Sequence, residues 1–242
     1  MTLDVRLFPC LNDNYGLLVR DTGSGVVATV DTPDADAILA DLERSGWDRL
    51  DLILNTHWHP DHTQGNARIK AETGCEIVGP EEVRRAAPID RIVAGGDTVM
   101  LGDTVLEVTD TPGHTLGHIV YRSVADAHAF VGDVLFNLGC GRLFEGTPDQ
   151  MYASLQALAA WPDETVIWCA HEYTAANARF ALSLDDRPEM AARAREIFAM
   201  RERGEATVPT TIGAEKAFNP FLRANDIADF AARRAAKDVF RG

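Results

Sequence analysis

Thr56-His57-Trp58-His59-Pro60-Asp61-His62 puts three of the chain's seven histidines beside a carboxylate in one short segment. Imidazole nitrogen and carboxylate oxygen are donors that suit zinc and neighbouring first-row metals. Side chains alternate along an extended segment, so His57 and His59 point the same way. Pro60 turns the chain, and Asp61 and His62 then face the same space from a second direction. One segment can thus serve two metal ions. The plain alternative is a polar loop whose histidines bond only to water, but composition alone yields this set at these spacings too rarely to favour it.

The flanking residues support a site. Leu50-Asp51-Leu52-Ile53-Leu54-Asn55 is an apolar run long enough for a buried strand, and residues 63–73 read as a helix closed by Gly74. The donors then sit where a strand ends and a helix begins, the edge at which open α/β layers build their sites. Asp61, near the helix start, meets the positive end of its dipole.

Farther out, residues 5–8, 16–20, 26–30, 76–78, 97–101, 103–108, 118–123, 127–131 and 165–169 read as strands, and 34–44 and 149–161 as helices. Beyond His171 the pattern changes to helices at 174–184, 188–203 and 226–240, rich in Ala and Arg, with a β-like run only around 207–212. The expected division is an α/β body over residues 1–172 and a helical region over 173–242. Charge divides at the same place: residues 1–172 carry 11 Lys and Arg against 27 Asp and Glu, while 173–242 carry 12 against 10. An acidic body argues against nucleic acid. A mildly basic tail beside it suggests a local anion grip, with solvated helix faces as the plain alternative. No apolar run approaches a membrane span, and the first residues show neither a signal nor a transit pattern. The four cysteines, Cys10, Cys75, Cys140 and Cys169, form no close pair, which fits reduced thiols in a cytoplasmic setting. Packing is the expected role of Cys140 and Cys169.

Two ions need more donors than one loop offers. His114 in Pro112-Gly113-His114-Thr115, Asp133 in Gly132-Asp133, and His171 after Val166-Ile167-Trp168-Cys169-Ala170 each follow an expected strand. With the loop they make five histidines and two aspartates. His118 is expected to support a ligand or pack, and His128 to be structural.

His-x-His-x-Asp-His, Pro-Gly-His-Thr, Gly-Asp and a late His together resemble the metallo-β-lactamase superfamily, which implies an αββα sandwich with a dinuclear site at one edge. Gly139-Cys140-Gly141-Arg142-Leu143-Phe144-Glu145-Gly146-Thr147 and Ala170-His171-Glu172-Tyr173-Thr174 resemble one branch, the glyoxalase II or hydroxyacylglutathione hydrolase family. So do Asn219-Pro220-Phe221-Leu222-Arg223 and Arg234-Ala235-Ala236-Lys237-Asp238. The resemblance spans nearly the whole chain. It implies His57, His59 and His114 on one ion, Asp61, His62 and His171 on the other, and Asp133 bridging them. The ions are expected to be zinc, with iron or manganese as alternatives. It implies a glutathione grip made of Arg142, Phe144, Tyr173, Arg234 and Lys237. Some relatives carry Tyr where this chain has Phe144, which removes a hydroxyl contact, and some carry Lys where it has Arg142, which keeps the charge but changes the geometry.

The implied reaction is hydrolysis of a glutathione thioester, S-D-lactoylglutathione or a related 2-hydroxyacyl derivative, by a hydroxide held between the two cations. Asp61 and Asp133 are the expected catalytic carboxylates, Asp61 being a ligand first. The leaving thiolate derives from a thiol of pKa about 8.5 and departs without a general acid. The expected partner is this small molecule, with neither nucleic acid nor membrane, and the expected state is a cytoplasmic monomer. The alternatives are an iron-dependent glutathione persulfide dioxygenase of the same superfamily, a lactonase or β-lactamase, and a non-catalytic metal-binding protein.

Overall fold

The computed structural model describes residues 3–242; Met1 and Thr2, the start of the stretch read for a leader, lie outside the described residues. Packing groups the chain into two units. One runs to Asp110 and resumes over Gly117–Gly132, and the other comprises Thr111–Leu116 and Asp133–Gly242.

The first unit takes β1 (Leu3–Cys10), β2 (Asn14–Asp21), β3 (Val27–Val30), α1 (Ala35–Ser45), β4 (Leu52–Leu54), α2 (Pro60–Thr63), α3 (Asn66–Thr73), β5 (Glu76–Gly79) and β6 (Arg91–Ile92). Its first sheet has the order β1-β2-β3-β4-β5-β6. β3, β4 and β5 are parallel, with Thr29 opposite Ile53 and Ile53 opposite Ile77. Strands covered on both faces need continuous apolar runs, which is how 26–30 and 50–55 read. Helix α1 starts where the Asp34 side chain accepts from the Asp36 and Ala37 N–H groups, and ends at Gly46 in the left-handed conformation. Its Ile38 and Leu42 pack with Ile53, Ile69 and Ile77 in one core. β7 (Thr98–Leu101), β8 (Thr104–Asp110), β9 (Ile119–Ser123) and β10 (His128–Gly132) form an antiparallel meander. The buried Tyr121 hydroxyl of β9 donates to the Asn55 carbonyl at the end of β4, 2.8 Å away.

The helix expected over 63–73 is two. Pro60 occupies the first turn of α2, so Asp61 and His62 are already helical, and the chain pauses at Gly65 before α3. Proline's fixed φ suits a helix start, which is why the turn begins earlier than apolar spacing suggests.

The second unit takes β11 (Leu135–Phe136), β12 (Gly139–Cys140), α4 (Pro148–Ala159), β13 (Val166–Cys169), α5 (Thr174–Leu184), α6 (Pro188–Glu202), β14 (Thr210–Thr211), α7 (Ile212–Phe218) and α8 (Ile227–Val239). A capping box between Thr147 and Gln150 starts α4. Ala178, Ala181 and Ala194 let α5 and α6 approach closely around Leu138, Met190 and Ile197. The β11–β12 hairpin and α7 had no sequence signal, being too short for a period to register. The mixed α/β elements with a helical C-terminal region match the expected fold class. Among the described residues no helix is long and apolar enough to cross a membrane.

Candidate metal centre

In the first unit the donors gather at the carboxyl ends of the parallel strands β3 and β4. Asp31, next after β3, is buried and adopts the left-handed conformation at φ 56°. Its carboxylate accepts from the Thr56 N–H at 2.8 Å, the Thr56 hydroxyl at 2.8 Å and His62 Nδ1 at 2.8 Å. Since a carboxylate only accepts, Nδ1 of His62 carries the hydrogen. Nε2 is thereby the donor atom, and it lies 3.6 Å from Asp61 Oδ2. Thr56 spends its hydroxyl hydrogen on Asp31, so its oxygen accepts from His57 Nδ1 at 3.0 Å. His57 thus presents Nε2, which lies 3.0 Å from His59 Nδ1. Asn14 donates to Asp61 Oδ2 at 3.1 Å. His118 stacks on His57 at 4.9 Å between ring centroids.

In the second unit Asp133 is buried between two imidazoles. His114 Nε2 lies 3.4 Å from its Oδ2, and His171 Nε2 lies 3.4 Å from its Oδ1. His114 Nδ1 donates to the Arg142 carbonyl at 2.9 Å, so the neutral ring turns its Nε2 lone pair toward Asp133. Two electron-rich atoms held at that separation suit a cation between them. Tying one ring nitrogen to a carbonyl or carboxylate is also how metal-ligating histidines are oriented.

Three of the four donor pairs stand at the separation a tetrahedral metal needs, and His57–His59 is closer. Two donors bound at about 2.0–2.2 Å in tetrahedral geometry stand roughly 3.3–3.6 Å apart. The pairs His57–His59, Asp61–His62, His114–Asp133 and His171–Asp133 lie at 3.0, 3.6, 3.4 and 3.4 Å. Asp31 also stands near His57 and His62. Its carboxylate already accepts from three donors, two of them on Thr56, which suits it to orienting His62.

The expected substrate groups all fall in the second unit. Phe144 is exposed, with its ring 5.2 Å from that of His114, and Tyr173 lies flat on His171 at 4.7 Å and 4°. The Arg142 side chain is 65% exposed and stands 3.9 Å from Asp238. Arg234 is buried: it donates to the Cys140 carbonyl at 2.9 Å and to Asp238 at 2.8 Å, and its guanidinium covers Phe221. Lys237 donates to the Ala176 carbonyl at 2.8 Å. Burial, then the Arg234, Arg142 and Arg179 cations, bring its pKa down to about 8. Burial pushes the Cys140 thiol up to about 11, which agrees with a packing role.

The glycines of the Gly-Cys-Gly segment permit close approach. A Cβ on Gly139 would meet the Asn177 amide at 2.3 Å, and one on Gly141 would meet the Asp133 carbonyl oxygen at 2.0 Å. Sequence reading passed over Asp31, Asn14 and the main-chain role of Arg142. Only Asp31 carried a signal, as a lone carboxylate just after an apolar strand.

The chain matches the model of the metallo-beta-lactamase superfamily over residues 11–171 and that of the hydroxyacylglutathione hydrolase C-terminus over residues 172–241. It is 56% identical to a hydroxyacylglutathione hydrolase of Maricaulis maris (strain MCS10) over 226 residues, covering 93% of this chain and 88% of the relative. It is 49% identical to that of Erythrobacter litoralis (strain HTCC2594) over 251 residues, covering 98% and 100%. Among solved structures, ETHE1 from Myxococcus xanthus aligns with a TM-score of 0.75 at 26% identity, over 98% of this chain and 92% of the other.

Proposed function

This chain belongs to the hydroxyacylglutathione hydrolase family of the metallo-β-lactamase superfamily, and from that we propose that it hydrolyses S-D-lactoylglutathione and related S-2-hydroxyacylglutathiones to a 2-hydroxy acid and glutathione. This is the second step of methylglyoxal detoxification. The observation that carries the reading is Asp133, with an imidazole Nε2 3.4 Å from each carboxylate oxygen, an arrangement suited to a carboxylate shared by two ions.

His57, His59 and His114 would hold one divalent ion, Asp61, His62 and His171 the other, and Asp133 both. Zinc is our reading of the ions, with iron and manganese as the other occupants these donors accept. When bound, such a pair supplies a water that ionises near neutral pH and a Lewis acid for the developing oxyanion. Asp61, steadied by Asn14, is a ligand first and secondarily holds the proton of the nucleophile. Arg142 and Lys237 would meet a glutathione carboxylate, with Tyr173 and Phe144 as aromatic walls. Arg234 would add its charge while holding Cys140. In this reading residues 1–172 carry the ligands and 173–242 complete the substrate site. We place the enzyme in the cytoplasm as a monomer, in keeping with four free, buried cysteines.

The test is thiol release from S-D-lactoylglutathione by metal-loaded protein, with metal analysis of the same sample. Two ions per chain with steady turnover is the expected result, and no thiol release rejects the assignment. Oxygen uptake with glutathione persulfide, at one ion per chain, would mark the dioxygenase alternative instead.

A further inference from the structure

Residues 136–140, which include the turn of the β11–β12 hairpin, are each held through the backbone by a side chain from α5, α7, α8 or Asn219 at the end of α7. Asn219 Nδ2 donates to the Phe136 carbonyl at 3.2 Å and to the Gly139 carbonyl at 2.9 Å. Asn177 Nδ2 donates to the Asn137 carbonyl at 3.1 Å. The Leu138 N–H donates to Glu215 Oε2 at 2.8 Å, and Arg234 donates to the Cys140 carbonyl at 2.9 Å. Glu215 is wholly buried and is itself fixed by Thr210 at 2.7 Å and Asn219 at 2.8 Å. Leu138 sits at φ 58°, a conformation a side chain of its kind adopts only where its surroundings enforce it.

The two ends of this turn carry different chemistry. Asp133 lies just before β11. Arg142 lies just after β12, with its carbonyl on His114 Nδ1. Gly141 packs directly on the Asp133 carbonyl, so a shift of the turn moves both ends together. We propose that Asn219 and Glu215 are positioning residues that set, through this one turn, the placement of the bridging carboxylate and of the Arg142 cation. The substrate half of this inference rests on the thioesterase reading above; the metal half does not.

The test compares Asn219→Ala, Glu215→Ala and Glu215→Gln with the parent. It reads bound zinc per chain at limiting free zinc, KM and kcat for a glutathione thioester and for a small thioester lacking glutathione, and the melting transition. Removing a group hydrogen-bonded directly to a metal ligand changes affinity by about 10–100-fold, and residues that act through the turn carrying the ligands reach the lower end, about ten-fold. The Ala variants should therefore lose zinc affinity by about that factor and also raise KM selectively for the glutathione thioester. Glu215→Gln keeps an acceptor for the Leu138 N–H and should recover most of both. A merely structural role would lower the melting temperature and leave the zinc affinity and KM of the folded protein unchanged, and that result overturns the proposal. If the Ala variants do not fold, Asn177→Ala removes a single contact to the same turn and is judged by the same readouts, unchanged values in a folded sample again overturning it. A parent protein without thioesterase activity would reject the assigned reaction, while zinc affinity would still judge the positioning role.

Discussion

Lys237 should make substrate binding depend on pH in a range where most lysines are silent. Its ammonium lies 5.4 Å from the Phe180 ring and 5.8 Å from that of Phe240, and burial with three neighbouring arginines lowers its pKa from 10.5 to about 8. Its charged share then falls from about nine-tenths at pH 7 to about one-tenth at pH 9. A charge-assisted contact is worth roughly 1.5–3 kcal/mol. Partial exposure and the nearby Arg142 argue for the lower end, about ten-fold in KM. KM for the glutathione thioester should therefore rise up to about ten-fold between pH 7 and 9 and level off near the value of Lys237→Met, whose KM should be high throughout. The bound carboxylate raises the lysine pKa in the complex, so kcat should change less. Lys237→Arg keeps its charge at every accessible pH and should abolish the rise. A small thioester lacking glutathione cancels the titration of the metal centre. A rise retained in Lys237→Arg, or one pH profile shared by parent and Lys237→Met, would refute a titrating Lys237 contact. The stability sign runs the other way: with the folded pKa below the unfolded one, the unfolded chain binds more protons between about pH 8 and 10.5, so this group's contribution to stability grows as pH rises through that window.

Two further outcomes are expected at the metal centre. Gly141→Ala sets a methyl 2.0 Å from the Asp133 carbonyl oxygen, a backbone atom that cannot swing away, so bound metal and thiol release should both be lost; retention of both would show that the segment has room. Asp31→Ala removes the acceptor that fixes His62 Nδ1 and should weaken zinc binding by about 10–100-fold in a competitive chelator titration, and parent-like affinity would mean that His62 is oriented by something else.

The ligand loop was legible because its information is local. Spacing from His57 to His62, a preceding apolar run and a following helix need no knowledge of distant residues, and the strand and helix periods report burial one element at a time. The same locality explains what local patterns leave out. Pro60 started a helical turn ahead of the apolar pattern, and the Leu135–Phe136 and Gly139–Cys140 strands are too short to show a period. Arg234 and Lys237 stand three residues apart on α8, a spacing that by itself puts them on one face. Packing gives Arg234 to the Cys140 carbonyl, 94 positions earlier, and leaves Lys237 partly exposed over two phenylalanines.

By itself the sequence determined the donor types, their order along the chain and the elements that carry them, because these follow from side-chain chemistry and backbone period. Tertiary structure alone decided which nitrogen His62 and His114 offer, since that depends on Asp31 reaching His62 and on the Arg142 carbonyl reaching His114. It also decided that α5, α7 and α8 would grip residues 136–140, a set of contacts 40 to 94 positions apart. Pairings at such separations are chosen by how packed elements meet, and no local pattern encodes that.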